Sequence, residues 1–169
     1  MTHYQQSDYL VRKLDAADWH AYRALRLEAL KTTPQVFSSN YQKESEYPDE
    51  RWQEGLAEPS RGCFGLFYQN DMIGLTVVAL DREHDDIAQL YASFIRPEHR
   101  GKGLSGLFYQ ARIDWARDKQ CREIQVGHRE DNVISKAANQ RFGFEFTHAI
   151  EMVWPDGATA KDMRYKLSL

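Results

Sequence analysis

An apolar run from Ile87 to Ile95 is stopped by Pro97 and followed by two closely spaced glycines, Gly101 and Gly103, and then by a long amphipathic stretch. No other segment constrains the fold as strongly. Proline donates no ladder hydrogen bond and ends the strand. Leu104, Leu107, Phe108, Ala111 and Trp115 recur at helical spacing and demand that one helix face be buried. Between them, Phe94 to Gly106 predicts a glycine loop at a helix N-terminus. Glycine backbone approaches an anion closely, successive N–H groups point at it, and the helix dipole adds to the attraction. Arg100 and Lys102 supply positive charge, so the expected ligand carries a diphosphate.

Two ligand classes share that group. Gly101-x-Gly103-x-x-Gly106 matches the dinucleotide fingerprint letter for letter, with Glu130 or Asp131 downstream for a ribose. The context disagrees: five residues, Arg96 to Arg100, separate the apolar run from Gly101, where a dinucleotide strand runs straight into its first glycine. Coenzyme A is the other class. The segment resembles the acyl-CoA-binding signature of the GNAT N-acetyltransferase superfamily, Arg/Gln-x-x-Gly-x-Gly/Ala, here Arg100-x-x-Gly103-x-Ser105. Ile95 to Gly103 also matches the family's lead-in of an apolar residue, x, Pro-Glu-x-Arg-Gly-x-Gly. A second signature follows in order, with Asn132, Ala137-Ala138 and Arg141-Phe142-Gly143-Phe144 close to the family's Asn…Ala…Tyr-Glu-Lys-x-Gly-Phe.

Hydrophobic period gives an independent element order. Tyr9 to Leu14 reads as a first strand, and Asp15 as the cap of a helix carrying Trp19, Tyr22, Leu25 and Ala29. Residues 38–57 read as a second helical region broken at Pro48, taken as the first position of a new helix. Strands follow at Arg61 to Gln69, Met72 to Arg82 and Ile87 to Ile95. The glycine-loop helix, a strand from Glu123 to Gly127, and a helix ended by Gly143 come next. Phe144 to Trp154 and Thr159 to Leu167 close the chain as a hairpin. This order, βααβββαβαββ, is that of the GNAT fold. The expected class is α/β (α+β type), a mixed, mostly antiparallel, roughly seven-stranded sheet with about four helices, in one domain over residues 1–169.

The resemblance implies acetyl-CoA as co-substrate and a primary amine as acceptor, with direct attack in a ternary complex and no metal. It implies that the backbone of Arg100, Gly101, Lys102, Gly103, Leu104, Ser105 and Gly106 takes the pyrophosphate. Ser93, Phe94 and Ile95 would pair with the pantetheine arm as an added strand and offer an oxyanion donor. Asn132 and Asn139 complete the expected cofactor contacts. The acid–base positions depart from the family. A glutamate used by some members is Gln89 here, which can orient a water but cannot act as a base. Glu28 and Glu44 are the other candidates. The family's frequent tyrosine acid falls on Asn139, leaving Ser135 or Asn132 to relay a water to a thiol whose ordinary pKa is about 8.5. With both positions replaced, a non-catalytic acyl-CoA sensor is the alternative class.

Charge and cysteine content narrow the rest. With 22 basic against 25 acidic residues and a net charge of −3, no nucleic-acid partner is expected. Acidic residues between Glu44 and Glu58, with Asp81, Glu83, Asp85 and Asp86, suggest a cationic acceptor, a small molecule or peptide amine, if they rim the acceptor cleft. Cys63 and Cys121 form neither a disulfide framework nor a zinc site, and the six histidines lack metal-ligand spacing. Met1 to Asp8 is polar with no apolar signal core, and no apolar run approaches the ~20 residues of a membrane span. A cytoplasmic monomer or homodimer is expected.

Overall fold

In the computed structural model, which describes residues 3–169, the strands are β1 (His3–Gln6), β2 (Tyr9–Lys13), β3 (Arg61–Tyr68), β4 (Asp71–Leu80), β5 (Ile87–Ile95), β6 (Glu123–Arg129), β7 (Glu145–Val153) and β8 (Thr159–Ser168). The α-helices are α1 (Trp19–Thr32), α2 (Tyr41–Ser45), α3 (Asp49–Ala57), α4 (Ser105–Asp118) and α5 (Val133–Arg141). The strands form one sheet in the order β1-β2-β3-β4-β5-β6-β8-β7, antiparallel throughout except for the parallel pair β5–β6. Among the described residues, no helix is long and apolar enough to cross a membrane.

The unbroken apolar runs of β3 and β4 are explained by cover on both faces of the sheet. Phe64, Leu66, Ile73 and Val78 join Phe108 and Trp115 of α4 in one core. Cys63, Leu75 and Val77 join Leu25 of α1 and Trp52 of α3 in the other. Alternation separates Cys63 from Phe64 and Val77 from Val78, whereas a register shift, with Leu66 opposite Gly74 and Phe67 opposite Met72, leaves Ile73 and Leu75 on opposite faces.

Two details differ from expectation. The sheet has eight strands, because β1 forms within the polar N-terminal stretch and pairs with β2 from His3↔Arg12 to Gln6↔Tyr9. It is secured by tertiary contact rather than apolar period: the Tyr4 hydroxyl donates to Asp114 Oδ2 on α4 at 2.7 Å. Met1 and Thr2, part of that stretch, lie outside the described residues. Region 38–57 is two helices, giving five in all, and Pro48 is the extended cap of α3 rather than its first turn.

A bulge re-aims the end of β5. Thr76 pairs with Ser93 while Val77 pairs with Tyr91, so Ala92 is the extra residue, at φ +34°. One inserted residue reverses the faces of everything beyond it. Leu90 lies in the α4 core, yet Phe94 lies in the core beneath α1 and α3.

Candidate functional site

The glycine loop is built for an anion. Gly101 and Gly103 sit at φ +77° and +75°, left-handed backbone that a side chain would strain. The backbone N–H groups of Gly101, Lys102, Gly103, Leu104 and Ser105 donate to no described residue, whereas, against expectation, Arg100 N–H bonds Pro97 O at 3.1 Å and Gly106 N–H bonds Gly103 O at 3.3 Å. Five consecutive free donors at the start of α4 fit a diphosphate. Supporting contacts come from elements that sequence patterns do not connect to the loop. Gln6 of β1 donates to Lys102 O at 2.9 Å, and the Tyr9 hydroxyl meets His99 Nδ1 at 2.7 Å. The Arg100 side chain turns back to donate to Ile95 O at 2.6 Å, which ties the loop to the end of β5. Leu104 is buried at the base of the loop, so it offers backbone only.

Beside the loop, β5 and β6 splay apart. They pair only from Ile87↔Glu123 to Gln89↔Gln125. Beyond the bulge the β6-facing edge of Ser93, Phe94 and Ile95 has no strand partner, so an extended ligand arm can pair with it. Phe94 is buried, and the Ser93 hydroxyl is shared with Thr76 Oγ1 at 2.7 Å. With Ile95 O already taken by Arg100, pairing with a ligand arm falls to the remaining backbone groups of this edge.

On α5, Asn132 accepts from Ser135 N–H at 3.1 Å and caps the helix, with both residues half-buried. Asn139 is not on that surface. It is 1% exposed, its Oδ1 accepts from the Tyr109 hydroxyl, and its Nδ2 has no partner among the described residues. Burial raises the Tyr109 pKa above its ordinary value.

The three residues expected to serve proton removal, Gln89 through a water and Glu28 or Glu44 directly, are already committed. Gln89 spends both amide hydrogens, on Asp81 Oδ1 at 3.0 Å and Gln125 Oε1 at 2.7 Å, and its Oε1 accepts from Arg164 at 3.0 Å. It has no N–H left for a water. Glu28 takes two hydrogen bonds from Arg96, and Glu44 takes two from Arg26. Burial pushes the Glu44 carboxyl up, but hydrogen bonding and charge from Arg26, with help from Ser39 and Lys43, hold it below the usual range.

A cleft of about 740 Å³ opens between α1–α3 and the bulged edge of β5, reaching Gly127 of β6 and Asp162 and Arg164 of β8. Tyr22, Phe37, Tyr47, Trp52, Tyr91 and Trp154 give it aromatic walls. The acidic rim expected from the sequence is not what lines it. Of the residues named for that rim, only Glu44, Glu54 and Glu58 reach the cleft, and with Asp162 they face five arginines, at 26, 51, 61, 82 and 164. Acidic side chains of an amphipathic helix turn outward, while Arg26 of α1, Arg61 of β3, Arg82 and Arg164 of β8 arrive from outside the acidic run and Arg51 of α3 from within it. Arg26 Nη1 and Trp52 Nε1, both on residues of this wall, are buried donors without a partner among the described residues.

The sequence pattern of the acetyltransferase (GNAT) family is matched over residues 19–144. The chain belongs to that family. GNAT relatives include the spermine/spermidine N(1)-acetyltransferase of Bacillus subtilis (strain 168), 29% identical over 93 residues, or 52% of this chain and 61% of the relative. The match thus spans about three fifths of the length of the curated relatives. Solved structures agree on the GNAT fold. The yncA protein of Salmonella typhimurium, determined with acetyl-CoA, superposes at a TM-score of 0.79 with 18% identity over 96% of this chain and 94% of that one. A ribosomal-protein-S5-alanine acetyltransferase from Vibrio fischeri gives 0.83 with 14% identity over 99% and 97%.

Proposed function

We propose that this chain is an N-acetyltransferase that moves acetyl from acetyl-CoA to a primary amine by direct attack in a ternary complex, with residues 1–169 acting as one cytoplasmic domain. The observation that carries the reading is the row of five unpartnered N–H groups from Gly101 to Ser105, ending beside the open edge of β5. Bound acetyl-CoA supplies an activated thioester. The loop holds its diphosphate, with Lys102 adding charge. Ser93, Phe94 and Ile95 align the arm, and a backbone N–H on this edge meets the negative charge that develops on the thioester oxygen. On this reading Asn132 and Ser135 relay a water that returns a proton to the departing thiolate. Positioning supplies most of the acceleration, because a neutral amine is already a competent nucleophile.

The cleft favours transfer over acyl-CoA sensing. A sensor needs the cofactor channel alone, whereas here a large aromatic-walled space, with two donors in its wall unpartnered among the described residues, borders the bulge of β5 at Tyr91 and Ala92. The relatives named for spermine and spermidine make those amines the first acceptors to try. The mixed charge of the cleft makes a peptide N-terminus and a free amino acid the necessary comparisons. Thiol release from acetyl-CoA with this panel tests the proposal. Turnover with at least one amine is expected, and acetyl-CoA binding without turnover of any would support the sensor instead.

A further inference from the structure

Four carboxylates line the cleft, and three are poorly suited to accept a proton from an acceptor amine. Glu44 is locked to Arg26 and held below the usual carboxylate range. Glu54 and Glu58 sit on the solvent-exposed rim, and Glu58 accepts from both the N–H and the hydroxyl of Ser60. Asp162 differs: its arginine holds only one carboxylate oxygen, and it is set back from the rim. It lies on β8, opposite Arg129 of β6, and its side chain is 18% exposed.

We propose that Asp162 is the general base of this reaction, its Oδ1, packed closely against Gly127, receiving a proton from the acceptor ammonium. The inference rests on the acetyl-transfer reading above. Oδ2 accepts from Arg164 Nη1 at 3.3 Å, while Oδ1 accepts from no described residue. Gly127 is what makes the approach possible, because a Cβ there would collide with Asp162 Oδ1 and Arg164 Nη1. Arg164 also donates through Nη2 to Gln89 at 3.0 Å. The side chain that replaces the family's glutamate therefore orients, through one arginine, a carboxylate on β8. Asp162 lies outside residues 19–144, the region matched to the family.

The proton balance is direct. One ammonium N–H bond breaks and the proton passes to Asp162. The amine lone pair then forms the new N–C bond as the C–S bond breaks. The second proton leaves nitrogen for the thiolate through water, and Asp162 releases its own to solvent.

Burial raises the Asp162 carboxyl above the usual range, outweighing the opposing pull of Arg164, His128 and His148. Arg129, on the facing strand, is occupied by Asp156 and Asp131, and Arg61 and Arg82 line the same cleft. A raised carboxyl is a better base, and it is ionised only above its own pKa.

The test is the pH profile of kcat/KM for the wild type and Asp162→Asn, alongside acetyl-CoA titration and thermal melting of both. The expected loss is roughly 100-fold near pH 7. The deficit should shrink as rising pH supplies free amine, with acetyl-CoA affinity unchanged within twofold. A loss that is constant with pH, or none, overturns the proposal. Carbon-13 titration of the wild-type Asp162 carboxyl by NMR is independent of turnover and of variant folding. A midpoint above about 3.9 is expected, and one at or below it overturns the proposal. A wild type that binds no acetyl-CoA or acetylates no amine overturns the function reading first, and this proposal with it.

Discussion

Arg26 donates two hydrogen bonds to Glu44, Nε to Oε1 at 3.0 Å and Nη2 to Oε2 at 2.9 Å, joining α1 to α2 at the wall of the cleft. Both side chains are largely buried, at 14% and 8% exposure. Removing one partner strands the other's charge in a poorly solvated place. Glu44→Gln is therefore expected to destabilise the fold by roughly 3 kcal/mol at neutral pH. The folded pKa of Glu44 lies below its unfolded value. The pair's stabilisation is thus complete above about pH 4.3 and fades as pH falls through the lower folded value. Denaturant melts of both proteins at pH 7 and in acid check this: the gap between them should be wide at pH 7 and narrow on acidification. A gap independent of pH would contradict the assignment.

Gly103→Ala tests the anion loop. A Cβ at this position meets nothing within 4 Å, so the penalty is conformational rather than steric. Left-handed backbone costs a non-glycine residue about 1–2 kcal/mol. If the loop relaxes to avoid that cost, its N–H groups lose their common aim. Acetyl-CoA affinity is expected to fall about tenfold by calorimetry, with little change in melting temperature.

Gly127→Ala should leave the cofactor loop untouched and act on the cleft. The added methyl displaces the ends of Arg164 and Asp162, both flexible enough to move at small cost in stability. A misplaced acid–base group lowers kcat by roughly tenfold to a hundredfold, while acetyl-CoA binding persists. Equal losses in cofactor affinity and in kcat would contradict this separation.

Gly62→Ala probes the packing of the sheet on α4. Its Cβ would lie 2.7 Å from Trp115 Nε1 and 2.8 Å from Trp115 Cδ1, closer than side chains tolerate. Trp115 is 7% exposed in the α4 core. Overpacking of this kind costs about 1–3 kcal/mol, readable as a lowered denaturation midpoint with an unchanged slope.

The elements most legible in the sequence were those whose burial follows a simple period. β3, β4 and α4 carry continuous or strictly spaced apolar residues, and the glycine loop announces itself by residue type. β1 was not legible because Tyr-Gln-Gln carries no apolar period, and its stability comes from Tyr4 reaching Asp114, far along the chain. The bulge was hidden for a different reason. Ala92 holds a positive φ with no glycine to mark it, and the bulge there puts Phe94 on the face opposite Leu90. The cleft was least legible of all. Its arginines and Asp162 converge from separate elements, α1, α3, β3 and β8 among them, and the local acidic run around Glu44 to Glu58 suggested the opposite charge.

The most direct test is calorimetric titration of the wild-type protein and Gly103→Ala with acetyl-CoA, with NAD as the parallel ligand. Acetyl-CoA binding of order micromolar strength, weakened in the glycine variant and accompanied by silence toward NAD, is the predicted result. Binding of NAD instead, or acetyl-CoA affinity indifferent to Gly103, would contradict the assignment of the loop from Gly101 to Ser105 and the transfer chemistry built upon it.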